Sequence, residues 1–146
     1  MRTRTLSAFC LGLLLLLATR LAAEESKSPG ELLTRYVAEL RATPDDQALR
    51  EEIIRLELTL NPAPTIPEEA TQYFVTARTF QKEGDAIIGY ELATSAHEFA
   101  IAAYKQALLI APWWAEAYDG LAVSLESTGR VADAANARRL SGAARR

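Results

Sequence analysis

Residues 99–129, FAIAAYKQALLIAPWWAEAYDGLAVSLESTG, constrain this chain more than any other stretch, because one proline divides two apolar patterns of helical period. Ala100, Tyr104, Ala107, Leu108 and Ile110 recur at helical spacing and define one apolar face. Pro112 lacks an amide proton and its ring clashes with the preceding turn, so the first helix has to end before it. Ala115, Tyr118, Leu121, Ala122 and Leu125 then resume the period, and Gly129 supplies a left-handed stop that other residues resist. The product is a helix hairpin. No stretch of the chain alternates with a period of two, so the expected fold is all-α, with no sheet.

The beginning of the chain has a different character. Met1, Arg2, Thr3 and Arg4 are followed by an almost wholly apolar run over residues 6–18, and Leu21, Ala22 and Ala23 lead into Glu24 and Glu25. This is the pattern of a secretory signal peptide over residues 1–23, cut after Ala23, and it predicts an exported protein, periplasmic or secreted. The alternative is a retained anchor, but the thirteen residues of that run fall short of the roughly twenty that a spanning helix needs. Removal of the leader takes away Arg2, Arg4 and Arg20 and no acid, leaving 13 basic against 19 acidic residues, a net charge of −6. Such a balance does not invite nucleic acid. Cys10 leaves with the leader, so the mature chain has neither disulfide nor thiolate chemistry.

Residues 24–29 are a polar, flexible start, and a helical domain fills residues 30–146, with about six helices predicted. Ser28 and Pro29 suit an N-cap and a first-turn proline; Leu32, Leu33, Tyr36, Val37 and Leu40 then share a face. Asp45 and Asp46 cap a second helix carrying Leu49, Ile53, Ile54, Leu56, Leu58 and Leu60 inward. Three prolines within residues 61–67 predict a stiff connector. A third helix starts near Pro67 with Glu68 and Glu69 in its first turn, presents Ala70, Tyr73, Ala77 and Phe80 to the core, and stops at Gly84. Residues 85–97 read as an insertion. The last helix, from about Val131, offers Val131, Ala134, Ala137 and Leu140 as an apolar stripe that no later helix covers, and so predicts an unfinished edge.

Tyr118, Leu121, Ala122, Leu125, Gly129 and Ala134, and before them Ala70, Tyr73, Ala77, Phe80, Ala100, Tyr104, Ala107, Leu108 and Pro112, resemble two consecutive units of the tetratricopeptide repeat family. The resemblance implies a right-handed stack of antiparallel helix pairs: a weak unit over residues 31–64, a middle unit over 65–114 and a last unit over 115–146. The 45 residues from Ala70 to Ala115 exceed the family's repeat of about 34 by about eleven, which locates the insertion. Departures are Arg50, where a small residue is expected, and Arg138 and Ser141, in place of an aromatic and a small residue.

The resemblance further implies a binding scaffold whose groove is lined by the first helix of each pair. There Phe74, Arg78 and Gln81 from the third helix would oppose Asp119, Val123 and Glu126 from the fifth, with Phe74 and Val75 as an apolar floor between walls of opposite charge. Phe74 packing inward instead is the competing expectation. Trp113 and Trp114 are candidate anchors for a partner, or residues that pack back as a hydrophobic staple. His97 with Glu98 begins like a zinc-protease helix, but Ile101 stands where the second histidine is needed. No catalytic, cofactor-binding or metal-binding residue is therefore assigned. The expected function is that of an exported protein–protein interaction module with a protein or peptide partner. Its alternatives are a small structural subunit that homodimerises through the C-terminal helix or completes an envelope assembly, and an enzyme or ligand carrier with a pocket near His97.

Overall fold

A computed structural model describes residues 28–145; the expected leader and its cleavage point lie outside them. The chain divides into two units, 1–32 and 33–146. Of the first, only the start of helix α1 (Pro29–Ala42) is described. Ser28 is its cap: the Glu31 amide donates to Ser28 Oγ at 3.3 Å, and the Ser28 amide donates to Glu31 Oε2 at 3.0 Å. Two otherwise orphaned donors are thereby satisfied.

The described residues form five further helices and no strand: α2 (Gln47–Glu57), α3 (Glu68–Ala86), α4 (Tyr90–Ile110), α5 (Ala115–Ser127) and α6 (Val131–Ala144). Pro44 follows α1, and Asp46 caps α2 by accepting from the Leu49 amide at 2.9 Å. At the end of α5, Gly129 takes φ +77°, while the Gly129 and Arg130 amides return to the Glu126 and Leu125 carbonyls. This left-handed cap satisfies two terminal carbonyls and releases the chain into α6.

From α3 onward each helix packs on the next, α3 along α4, α4 along α5 and α5 along α6, and α3 also touches α5. The alanines make this possible. Ala70, Ala77, Ala100, Ala107, Ala117 and Ala134 are fully buried where helices approach closely, and Tyr104 and Tyr118 fill the space between them. At Gly120 a Cβ would stand 2.3 Å from the Tyr104 ring, so that ring fits beneath α5 only because the position is glycine.

Four expectations need correction. Gly84 does not end the third helix: it lies buried inside α3, where a Cβ would stand 2.7 Å from His97 Nε2. Its smallness serves close packing and not a stop, so residues 85–97 are no separate insertion. The extra length is carried by α3 and α4 themselves, which run on to a short turn at Gly89 with φ +155°. Second, Tyr73 remains 38% exposed while Phe74 turns inward, so Phe74 takes the place expected for Tyr73 beside the buried Ala70 and Ala77. Third, Leu58 is exposed at the C-cap of α2, although its backbone is still helical and its amide still donates to the Ile54 carbonyl.

The fourth correction concerns the C-terminal edge. Ala134, Ala137 and Leu140 are buried, with only Val131 left in solvent, because α2 returns to pack on α6. Asn136 donates to Gln47 at 3.3 Å, Arg139 pairs with Glu51 at 2.8 Å, and Ile54 joins the same core as Ala137 and Leu140. The apolar stripe proposed for homodimerisation is thus an internal surface. Among the described residues α2 takes α6 as its neighbour and not α3, the helix that follows it in the chain.

Candidate functional site

Pro112 leaves a carbonyl without its helical donor: the Leu108 oxygen would accept from the amide of residue 112, and proline has none. Arg50 fills that place. Its Nη1 donates to the Leu108 carbonyl at 3.4 Å and to the Tyr118 hydroxyl at 3.5 Å, and its Nη2 donates to the Pro44 carbonyl at 2.8 Å. Arg41 Nε donates to the neighbouring Leu109 carbonyl at 3.5 Å. Two guanidinium groups therefore meet the carbonyl end of α4, where the helix dipole favours positive charge. Burial pushes the Tyr118 phenol above its ordinary pKa, against the charge and hydrogen bond of Arg50, so Tyr118 stays a neutral donor and gives its proton to the Pro112 carbonyl at 2.8 Å.

Beside this junction lies a cavity of about 460 Å³ between α2, α4, α5 and α6. Leu108, Leu121, Leu125 and Leu140 supply its apolar lining; Asp45, Arg50, Lys105, Arg130, Asp133 and Asn136 supply the polar part. Arg130 and Asp133 are paired with each other at 2.9 Å. Nothing in the sequence pattern announced this cavity, since its lining comes from four helices whose mutual placement the period of each does not specify. The one signal was Arg50, an arginine at a position where the repeat pattern calls for a small residue.

The groove residues named from sequence are distributed differently. Phe74 packs inward, stacked on Trp114 with centroids 4.4 Å apart and edge-on to Tyr104 at 5.7 Å, with Arg78 over its outer face. Gln81 accepts from the Tyr104 hydroxyl at 2.6 Å. Burial, opposed by Arg78 and reinforced by Asp85, pushes that phenol up to about 12. Asp119 and Glu126 do not form a wall opposite α3: Asp119 is held by Arg145 and by Ser141, whose hydroxyl donates at 2.6 Å, and Glu126 by Arg138. The unexpected Arg138 and Ser141 thus make a polar brace across α5 and α6. Val123 stays exposed, as does Val75 on α3.

Trp113 and Trp114, adjacent in sequence, go to different clusters: Trp114 joins the core of α3 to α6, and Trp113 packs on Leu33, Leu40, Leu49 and Ile53. Neither is a free anchor. His97 is buried, with Nε2 3.5 Å from Asp85, and lies against Gly84. Among the described residues no group of three potential metal ligands occurs, and no helix is long and apolar enough to cross a membrane.

The tip of the α3–α4 hairpin is an exposed apolar feature. Ile88 is fully exposed, Tyr90 is 80% exposed, and Leu92 and Ile87 also face solvent at the tip of the α3–α4 hairpin. No family model matches the chain, and neither a curated protein nor a solved structure does.

Proposed function

We propose that this protein is an exported, non-enzymatic interaction module of the tetratricopeptide type, in which α3 to α6 form two stacked helix pairs. Three features support the stacking: neighbour-to-neighbour packing of four consecutive helices, the α3 to α5 approach, and the small residues at the crossings. The observation that carries the binding function is the apolar tip. Four large side chains within residues 87–92 stay in water, although a soluble protein gains by covering such a patch. A protein or peptide partner is the natural cover. Val75 and Val123 extend the exposed apolar surface on α3 and α5.

A photo-crosslinking residue placed at Ile88 in the native host tests this, with Ala132 on α6 as the control position. A defined adduct is expected from position 88 and none from 132. With that partner purified, Ile88→Asp should weaken binding about tenfold or more, the effect of losing an interface anchor. Adducts equal at both positions, or absent from positions 75, 88 and 123 alike, refute the reading. Intact-mass measurement of the protein from its host tests export, with Glu24 expected as the first residue.

A further inference from the structure

The cavity between α2, α4, α5 and α6 combines properties that the fold does not require of a gap between helices. Its volume, about 460 Å³, lies in the range of about 300 to 1,000 Å³ typical of small-molecule sites. One side is leucine; the other holds two cations, Arg50 and Lys105, that make no ion pair among the described residues. Arg50 is only 8% exposed, and among the described residues no carboxylate lies within ion-pair distance of it. Its three hydrogen bonds use both terminal nitrogens and leave the Nε–H without a protein acceptor. Lys105, on the same lining, has neither ion pair nor hydrogen bond among the described residues. Against these two cations stands Asp45, since Asp133 is engaged by Arg130. The lining therefore carries one surplus positive charge in a chain whose net charge is −3.

We propose that this cavity binds a small amphipathic monocarboxylate, with its hydrocarbon against Leu108, Leu121, Leu125 and Leu140 and its carboxylate toward Arg50 and Lys105. The chemistry follows from the two halves of the lining. An uncharged apolar molecule would leave the buried guanidinium without a counter-ion, and a cation would be repelled by it. A monoanion matches the surplus charge and completes the donor set of Arg50 through a charge-assisted bond, while its chain lies along the leucine edges that line the cavity. This site is separate from the apolar tip and binds a different class of ligand.

Calorimetric titration of the purified protein with octanoate, octanol and octylamine reads the proposal directly. Octanoate is expected to bind tightest and octylamine not at all. Lys105→Glu, at an exposed position, should weaken octanoate by about tenfold, the loss of one charged hydrogen bond, and leave octanol unchanged. Arg50→Lys should reduce octanoate affinity as well; because Arg50 also ties α2 to α4, its far-ultraviolet spectrum and octanol binding serve as the control for folding. N-acetyl-leucyl-leucine carries the same carboxylate at a peptide end, and binding tighter than that of octanoate would overturn the assignment to a free acid. Equal affinity for octanoate and octanol, no binding of octanoate, or unaltered octanoate binding by Lys105→Glu would overturn the site itself.

Discussion

The α3–α4 and α5–α6 hairpins are built on one pattern of buried alanines and tyrosines, yet they differ in length and in what holds their outer ends. Helices α3 and α4 run for 19 and 21 residues, α5 and α6 for 13 and 14. Along the shorter pair the outer seam is ionic: Arg138 braces Glu126, and Arg145 with Ser141 braces Asp119. The far part of the longer pair is held by a tilted ring contact of Phe80 with Phe99, centroids 5.3 Å apart, and by His97 seated on Gly84. Beyond that, among the described residues, the tip side chains Ile88, Tyr90 and Leu92 stay exposed. The same helical period thus yields a buried, braced hairpin where other helices lie alongside and a projecting one where they do not.

The largest test of this contrast sets Tyr118→Ala against Ile88→Ala in urea denaturation. Truncating the fully buried Tyr118 should cost about 3 to 5 kcal/mol, as large aromatic deletions do. At the exposed tip Ile88→Ala should stay within about 0.5 kcal/mol of wild type. Comparable losses from both would mean that the tip is core.

A sharper comparison uses the two close-packed glycines. Gly120→Ala drives a Cβ into the buried Tyr104 ring between α3 and α5, and should cost about 1 to 3 kcal/mol despite the better helix propensity of alanine. Gly84→Ala meets the His97 ring instead, in the part of the hairpin packed only by α3 and α4, and should cost less. Reversal of that order in thermal melts would break the comparison. Native-state hydrogen exchange should separate the regions again: amides over residues 84–95 should open below the global unfolding free energy, and those over 117–125 only with it.

The smallest effect expected is that of acid on the ionic brace. Burial alone pushes the Asp119 carboxyl up, but the hydrogen bonds from Arg145 and Ser141 and the charges of Arg145 and Arg138 together hold it below the ordinary carboxylate value. The Arg138 hydrogen bond does the same for Glu126 against slight desolvation. A depressed folded-state pKa stabilises fully above the unfolded value, about 4, and the contribution disappears as pH falls through the folded one. Discounted for solvent exposure, the Asp119 contribution stays under about 1 kcal/mol. Asp119→Asn should therefore lower the melting temperature slightly at pH 7 and leave it unchanged at pH 2. A difference that persists at pH 2 would assign the loss to packing.

Much of the helical pattern was legible because it depends on neighbours in the chain. Ser28 and Asp46 cap helices as their side-chain chemistry dictates, Pro112 ends α4, Gly129 ends α5, and the alanine and tyrosine positions of α4 and α5 are buried where the period of each helix predicts. Gly84 was misread because glycine is required by two different constraints, a left-handed backbone and close approach, and only the position of His97 distinguishes them. Tyr73 and Phe74 both stand three or four residues from the buried Ala70 and Ala77, so the period admits either to that face, and only the Tyr104 and Trp114 rings decide that Phe74 takes it. Likewise Asp119 and Glu126 lie where a groove wall was expected, but Arg145 just after α6 and Arg138 on it, 26 and 12 residues further on, draw them the other way.

The amino-acid sequence alone determined that this chain is helical, where α4 and α5 end, and which small residues lie at their crossings, since caps, prolines and period act within a few residues. Only the tertiary structure decided that α2 closes on α6, that Arg50 replaces the donor Pro112 lacks, and that leucines and unpaired cations meet around one cavity. Those contacts join residues 58 to 89 positions apart, and no local preference encodes them: they follow from which apolar faces remain to be buried once the neighbouring helices have packed.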